Sequence, residues 1–488
     1  MSFPKDFLWG GGISANQSEG GWNEGDKTPN LSDFQLGGSI NKSRMATYKM
    51  PDGSYGKTPV FVESIELPKG AKLACIPGEF YPNHKATDFY HQYKEDIARF
   101  GEMGFKVLNL TLSWSRIFPN GIKKGINRKG VEYYHSVFAQ CRKHGIQPLV
   151  HLYKYDMPAF YITEWGGWSN RDLINEFVDF AKTSINEFKD DVNYWSTFNE
   201  INIAQFAGVN NKEKIQKAYE SLHNQLVASA KVVKHLHDNY PEKKIGCMVA
   251  GIFNYAYTCD PLDQILSQKA LQDNFYYCAD TFVRGQYPSY AKRLWDELGV
   301  KLKITEDDRV ALMNGKVDFM EFSYYFCNVV TTHKEEMKNI SGNILAGLKN
   351  PYIKVSDWGW AIDPKGLKFF LHEIYDRYQI PLFICENGLG AFDVLENDGR
   401  IHDKYRIDYL REHIKAMKEA VEEGVDLIGY TTWGCLDLVS LSTGEIRKRY
   451  GFVYVDVDDE GNGTYKRYKK DSFYWYKKVI ESNGENID

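Results

Sequence analysis

Eight short apolar runs punctuate the 488 residues, and the pattern between them limits what the chain can become. The runs are Phe7–Ala15, Val107–Trp114, Gln147–Tyr155, Tyr194–Glu200, Lys244–Ile252, Asp318–Phe326, Pro381–Gly388 and Leu427–Gly434. Most are separated by stretches in which apolar residues return every three or four positions: Ala86–Met103, Arg128–His144, Arg171–Phe188, Lys212–Asn239, Pro364–Tyr378 and Asp403–Glu423. Leu367, Phe370, Leu371 and Ile374 have the spacing of a helix that buries one face. Alternating strands and helices predict an α/β chain with a parallel sheet. Eight such units predict a closed (β/α)8 barrel rather than an open sheet. Segment Gly37–Pro82 breaks the rhythm: its Gly, Pro, Ser and Lys residues show no period, and it reads as a long loop insertion over the barrel mouth. No linker divides the chain, so residues 1–488 are expected to form a single barrel domain.

In such barrels chemistry gathers at the C-terminal ends of the strands. Two runs carry a carboxylate there, in Thr197-Phe198-Asn199-Glu200 and Ile384-Cys385-Glu386-Asn387-Gly388. A carboxylate at the end of a buried strand is costly unless its charge is used. Two such groups can flank a glycosidic bond, one as acid/base and one as nucleophile. The 15% aromatic content, with 11 Trp and 33 Tyr, suits the apolar faces of sugar rings and equally an aromatic core. A net charge of -5 gives no reason to expect nucleic acid as a partner.

The start, Met1-Ser2-Phe3-Pro4-Lys5-Asp6, lacks a basic segment followed by an apolar run, which argues against a secretory signal. No apolar run reaches the roughly 18 residues of a membrane span. The eight cysteines are scattered without a CxxC pair and read as reduced core residues of a cytoplasmic protein. Cys385 has no His near it in sequence and reads as a buried strand residue rather than a nucleophile. Gly10-Gly11-Gly12 lacks the spacing of a phosphate-cradling loop and reads as a tight strand end. No Asp, Glu or His group has metal-ligand spacing, so neither metal nor organic cofactor is expected.

Motifs along the whole chain resemble glycoside hydrolase family 1. They are Phe7-Leu8-Trp9-Gly10 with Gln17-Ser18-Glu19-Gly20, Trp114-Ser115-Arg116-Ile117-Phe118-Pro119, Thr197-Phe198-Asn199-Glu200, Phe322-Ser323-Tyr324-Tyr325, Cys385-Glu386-Asn387-Gly388 and Arg449-Tyr450-Gly451-Phe452. The resemblance implies a TIM barrel and a retaining β-glycosidase, with Glu200 as acid/base and Glu386 as nucleophile. It implies further that Asn199 holds the sugar's 2-hydroxyl, that Tyr325 contacts the nucleophile, and that Gln17 and Trp433 bind the 3- and 4-hydroxyls. Retention predicts carboxyl groups roughly 5 Å apart, with the charge of Glu386 raising the pKa of Glu200.

Within the family, the stretch Ser440 to Tyr450 is similar to the 6-phospho-β-glucosidase branch. Members acting on plain sugars carry Glu where this chain has Ser440, and Ser442, Lys448 and Tyr450 match the branch's phosphate-binding set. Two hydroxyls and an ammonium suit a dianion; the other reading of Arg447-Lys448-Arg449 is a solvated basic loop. Leu441, where phospho-β-galactosidases tend to have Trp, favours a glucoside. Trp358 reads either as an aglycone platform or as a core residue. Two positions depart from the family: Asn109 stands where an Arg usually pairs with the nucleophile, and Lys154 where a His usually binds the 3-hydroxyl. Lys154 is therefore expected in the sugar subsite, taking over part of the Arg role. Three readings stay open: a hydrolase of 6-phospho-β-glucosides, a β-glucosidase of unphosphorylated substrates, and a weakly active or inactive phosphosugar-binding homologue. The sequence leaves the oligomeric state open.

Overall fold

The computed structural model describes residues 3–207, 211–333, 335, 339–341 and 346–488. Its centre is a closed barrel of eight parallel strands: β1 (Leu8–Gly12), β2 (Val107–Thr111), β3 (Gln147–His151), β4 (Tyr194–Ser196), β5 (Lys244–Ala250), β6 (Phe319–Ser323), β7 (Leu382–Glu386) and β8 (Leu427–Trp433). Each strand pairs with its sequence neighbours, and β1 closes the ring between β2 and β8. All eight lie within the apolar runs of the sequence, and α/β barrel is the fold class found.

Helices surround the barrel: α1 (Phe89–Glu102), α2 (Arg128–Lys143), α3 (Leu173–Phe188), α4 (Lys212–Asn239), α5 (Tyr277–Arg284), α6 (Pro364–Tyr378), α7 (Lys404–Glu422) and α8 (Asp471–Glu481); six lie where the sequence pattern places a helix, while α5 and α8 were not expected. Helix α6 shows how sequence sets each of them. Asp363 caps it by accepting from the Gly366 N–H at 2.8 Å, Pro364 occupies its first turn, and Leu367, Phe370, Leu371 and Ile374 are buried. Each such side chain contributes about 1.5–3 kcal/mol by leaving water.

The strand ends are shorter than the sequence suggests. The fourth run continues to Glu200, but β4 stops at Ser196, because Thr197, Phe198 and Asn199 are buried loop residues at the mouth. Segment Gly37–Pro82 also differs from the expected loop. It holds a four-stranded antiparallel sheet of Met45–Lys49, Tyr55–Phe61, Ser64–Ile65 and Lys72–Leu73. Its longest strand is exposed or half-buried throughout, so it lacks the apolar period of a core strand. The cysteines need one correction: Cys259 is exposed and Cys75 half-buried, while the other six are buried and all eight are free. Among the described residues no helix is long and apolar enough to cross a membrane.

Candidate active site

Glu386 is the last residue of β7, and it is buried at the barrel mouth. The register between β6 and β7 shifts at Phe322/Ser323, so Ser323 pairs with Glu386 rather than with Cys385. Such irregularities re-aim side chains beside active sites. The Ser323 hydroxyl donates to Glu200 Oε1 at 2.7 Å. One serine thus faces Glu386 across adjacent strands, which lie about 4.8 Å apart, and bonds to Glu200. Both carboxylates line one cleft of about 80 Å³ together with Gln17, Lys154, Tyr325 and Trp433. Glu200 holds a left-handed backbone, φ 44° and ψ 51°, which costs a side-chain-bearing residue on the order of 1 kcal/mol.

The two carboxylates sit in opposite surroundings. Glu386 accepts from Lys154 Nζ at 2.5 Å on one oxygen and from the Tyr325 hydroxyl at 2.8 Å on the other. Glu200 has the neutral Ser323 hydroxyl. Burial pushes its carboxyl up to about 7; the charge of Glu386 adds to the rise, and Lys154 and Ser323 oppose it. Asn109 does not reach Glu386: its Nδ2 donates to the Cys385 carbonyl at 3.1 Å. The cation beside Glu386 is Lys154, whose ammonium also lies 3.5 Å from the centre of the Trp433 ring.

Gln17 spans the floor, donating to the Val439 carbonyl at 2.7 Å and accepting from Ser14 Oγ at 2.7 Å. Asn199 is buried beside Glu200, and its Nδ2 has no hydrogen-bond partner. The opposite wall is made by Ser440, Leu441, Ser442 and Tyr450. Lys448 is not in the main cleft. It borders a small adjoining void with Tyr325, Trp360 and Gly390, and its ammonium stands 4.1 Å from the centre of the Trp360 ring. That ammonium is buried and has no hydrogen-bond partner. Burial pushes it down to about 7, opposed by Glu445. The basic run is not a solvated loop: Arg449 is buried on Asp437 at 2.8 Å, and only Arg447 is exposed.

Trp358 falls behind the site, buried, with its ring N–H donating to Glu445 at 3.3 Å. Trp360, two residues on, lines the cleft. Sequence reasoning missed Trp360 and the role of Ser323. Ser323 lay inside a quoted motif at a strand end, a usable signal; Trp360 sits in a loop without period and had none.

A parallel barrel with paired carboxylates at its C-terminal mouth is the architecture of a glycoside-cleaving hydrolase. Sequence comparison makes this specific. The profile of glycosyl hydrolase family 1 matches residues 1–63 and 78–485, and the chain belongs to that family. It is 45% identical to an aryl-phospho-β-D-glucosidase of Bacillus subtilis, covering 100% of both chains. It is also 45% identical to a 6-phospho-β-glucosidase of Escherichia coli, covering 100% of this chain and 99% of the other. Among solved structures, a family 1 β-glucosidase from Thermotoga maritima superposes with a TM-score of 0.81 at 27% identity, covering 99% of both chains.

Proposed function

We propose that this protein is a cytoplasmic 6-phospho-β-glucosidase, one catalytic domain spanning residues 1–488, that acts with retention. The observation that carries the chemistry is the division of environments in one cleft. Glu386, held by Lys154 and Tyr325, is the nucleophile. Glu200, with its carboxyl raised to about 7, keeps a proton to give. In the first step the Glu386 carboxylate attacks the anomeric carbon, and the bond to the aglycone oxygen breaks as that oxygen takes the Glu200 proton. In the second step Glu200 accepts a proton from water, the water oxygen attacks the same carbon, and Glu386 is released. Two inversions leave the β-configuration unchanged.

Asn199, Gln17 and Trp433 hold the sugar ring, and Lys154 keeps Glu386 ionised in place of the missing arginine. The contact of Lys154 with Glu386 supports turnover over the inactive, binding-only reading. The phosphate reading rests on the wall opposite. Ser440 brings no carboxylate to repel a dianion, Ser442 and Tyr450 offer hydroxyls, and Lys448 offers an ammonium with no hydrogen-bond partner. Relatives at 45% identity carry phospho-β-glucosidase names. A sugar phosphate is a dianion that does not cross a bilayer unaided, which fits a cytoplasmic enzyme.

The deciding experiment compares kcat/KM on p-nitrophenyl β-glucoside and on its 6-phosphate, with the product anomer read by NMR. The expected result is strong preference for the phosphate and a β-product. Preference for the plain glucoside overturns the substrate; an α-product overturns the mechanism.

A further inference from the structure

Below the sugar site the barrel axis carries a second group of reactive side chains that hydrolysis does not use. His151 ends β3, Glu321 sits in β6 and Cys385 in β7, all between 0 and 1% exposed. One ring nitrogen, one carboxylate oxygen and the sulfur lie within 4.8 Å of one another. Glu321 Oε2 is 3.4 Å from His151 Nε2 and 3.4 Å from Cys385 Sγ. Neither nitrogen of His151 has a hydrogen-bond partner, and neither has Glu321 Oε1. Orphaned polar atoms in a core are expensive, each about 1–3 kcal/mol, and such a group calls for a physical reason.

From this geometry we infer that His151, Glu321 and Cys385 form a buried binding site for a zinc-class divalent ion. The donor set is imidazole, carboxylate and thiolate, the mixture zinc accepts. Zinc bonds of about 2.0–2.3 Å in a tetrahedron put neighbouring donor atoms about 3.3–3.7 Å apart. Both measured separations at Glu321 fall in that range. A fourth oxygen is at hand: Ser196, the register partner of His151, is buried with its hydroxyl beside Glu321. Gly246 opens the space: a Cβ there would stand 2.3 Å from Glu321 Oε1.

Charge also balances. A neutral imidazole offers a lone pair, and a thiol and a carboxyl can each give up a proton. Binding M²⁺ displaces two protons, one from sulfur and one from the carboxyl. Two anions then meet a double positive charge, and the core stays neutral. The ligands come from three strands, so the ion would tie β3, β6 and β7 together directly beneath Glu386. The site is closed to solvent, so the metal is acquired as the chain folds.

The test is metal analysis of the full-length protein expressed in zinc-replete medium, then unfolded in chelator and refolded with Zn²⁺, with Co²⁺, or with neither. Near one equivalent of zinc per chain is expected. The zinc-refolded protein should melt several degrees above the metal-free one, because binding to the native state adds to stability. Co²⁺ should give an intense near-ultraviolet thiolate-to-metal band that Cys385→Val removes; Glu321→Gln, nearly isosteric, should also lose the metal if the valine variant does not fold. Less than about 0.1 equivalents in every preparation, with no change in melting, overturns the inference. A cobalt band that persists in Cys385→Val overturns it as well.

Discussion

The two walls of the sugar cleft treat charge in opposite ways. At the ends of β3, β6 and β7, Glu386 is paired before substrate arrives, with Lys154 at 2.5 Å and Tyr325 at 2.8 Å. Behind the wall from Ser440 to Tyr450, the buried Lys448 ammonium faces the Trp360 ring, has no hydrogen-bond partner and is pushed down to about 7. As the proposed nucleophile, Glu386 must be an anion in the free enzyme, and its counter-ion is built in. The phosphate brings its own charge, so a pre-paired lysine would have to be unpaired again on binding. An ammonium held on a ring face without a hydrogen bond gains charge-assisted bonds when a dianion arrives. On the proposed roles, one wall serves the chemistry and the other selection.

Substitutions should separate the walls by which kinetic constant they move. Glu386→Gln removes the nucleophile, and kcat should fall on the order of 10⁴-fold for phosphorylated and plain substrates alike. A variant that kept wild-type turnover would mean another group attacks the anomeric carbon. Glu200→Gln should cost on the order of 10² to 10⁴-fold on substrates with alkyl or sugar leaving groups. A nitrophenolate departs without a proton, so with that aglycone the first step should suffer far less. Equal losses across leaving groups would remove Glu200 from the acid role.

Lys154→Met leaves a buried carboxylate without its cation, an arrangement that costs several kcal/mol in proteins. Glu386 should then hold its proton to higher pH, moving the acid limb of kcat/KM upward and lowering activity near neutrality by roughly 100-fold. An acid limb that does not move would show that Lys154 has not inherited the missing arginine's work. Lys448→Met should act on the other wall alone. A charge-assisted hydrogen bond of about 1.5–3 kcal/mol corresponds to a 10- to 100-fold rise in KM for the 6-phosphate. The plain glucoside should change by less than about threefold, and equal effects on both would take phosphate reading away from Lys448.

The walls also differed in how legible they were. The eight strands showed in the sequence because a barrel core selects unbroken apolar runs. Their ends did not, because residues just beyond them, such as Leu112, Leu152, Phe198 and Ile252, are buried too. The carboxylates, Asn199, Gln17 and Trp433 could be read from local motifs. The pairing of Lys154 with Glu386 spans 232 residues, and no spacing along the chain encodes it. The same holds for Cys385, which has no histidine near it in sequence and has His151 beside Glu321 next to it in space. The small sheet of residues 45–73 escaped because a strand with no buried face leaves no period.

The finest contrast lies in the pH profile. Burial brings two groups to about 7, Glu200 and Lys448, and on the proposed roles both must be protonated for a phosphorylated substrate: Glu200 to release the aglycone, Lys448 to hold the dianion. Each has its proton below that value and loses it as pH rises. For the plain glucoside only Glu200 matters. On the alkaline side, log(kcat/KM) should therefore fall with a slope near −2 per pH unit for the 6-phosphate and near −1 for the plain glucoside, because kcat/KM reports ionisations of the free enzyme. The phosphate itself stays a dianion there, its second pKa being about 6. Lys448→Met should bring the steeper limb down to the shallower one. Parallel limbs in the wild type would mean that Lys448 keeps its proton through this range, and that the second wall recognises phosphate with a permanently charged lysine.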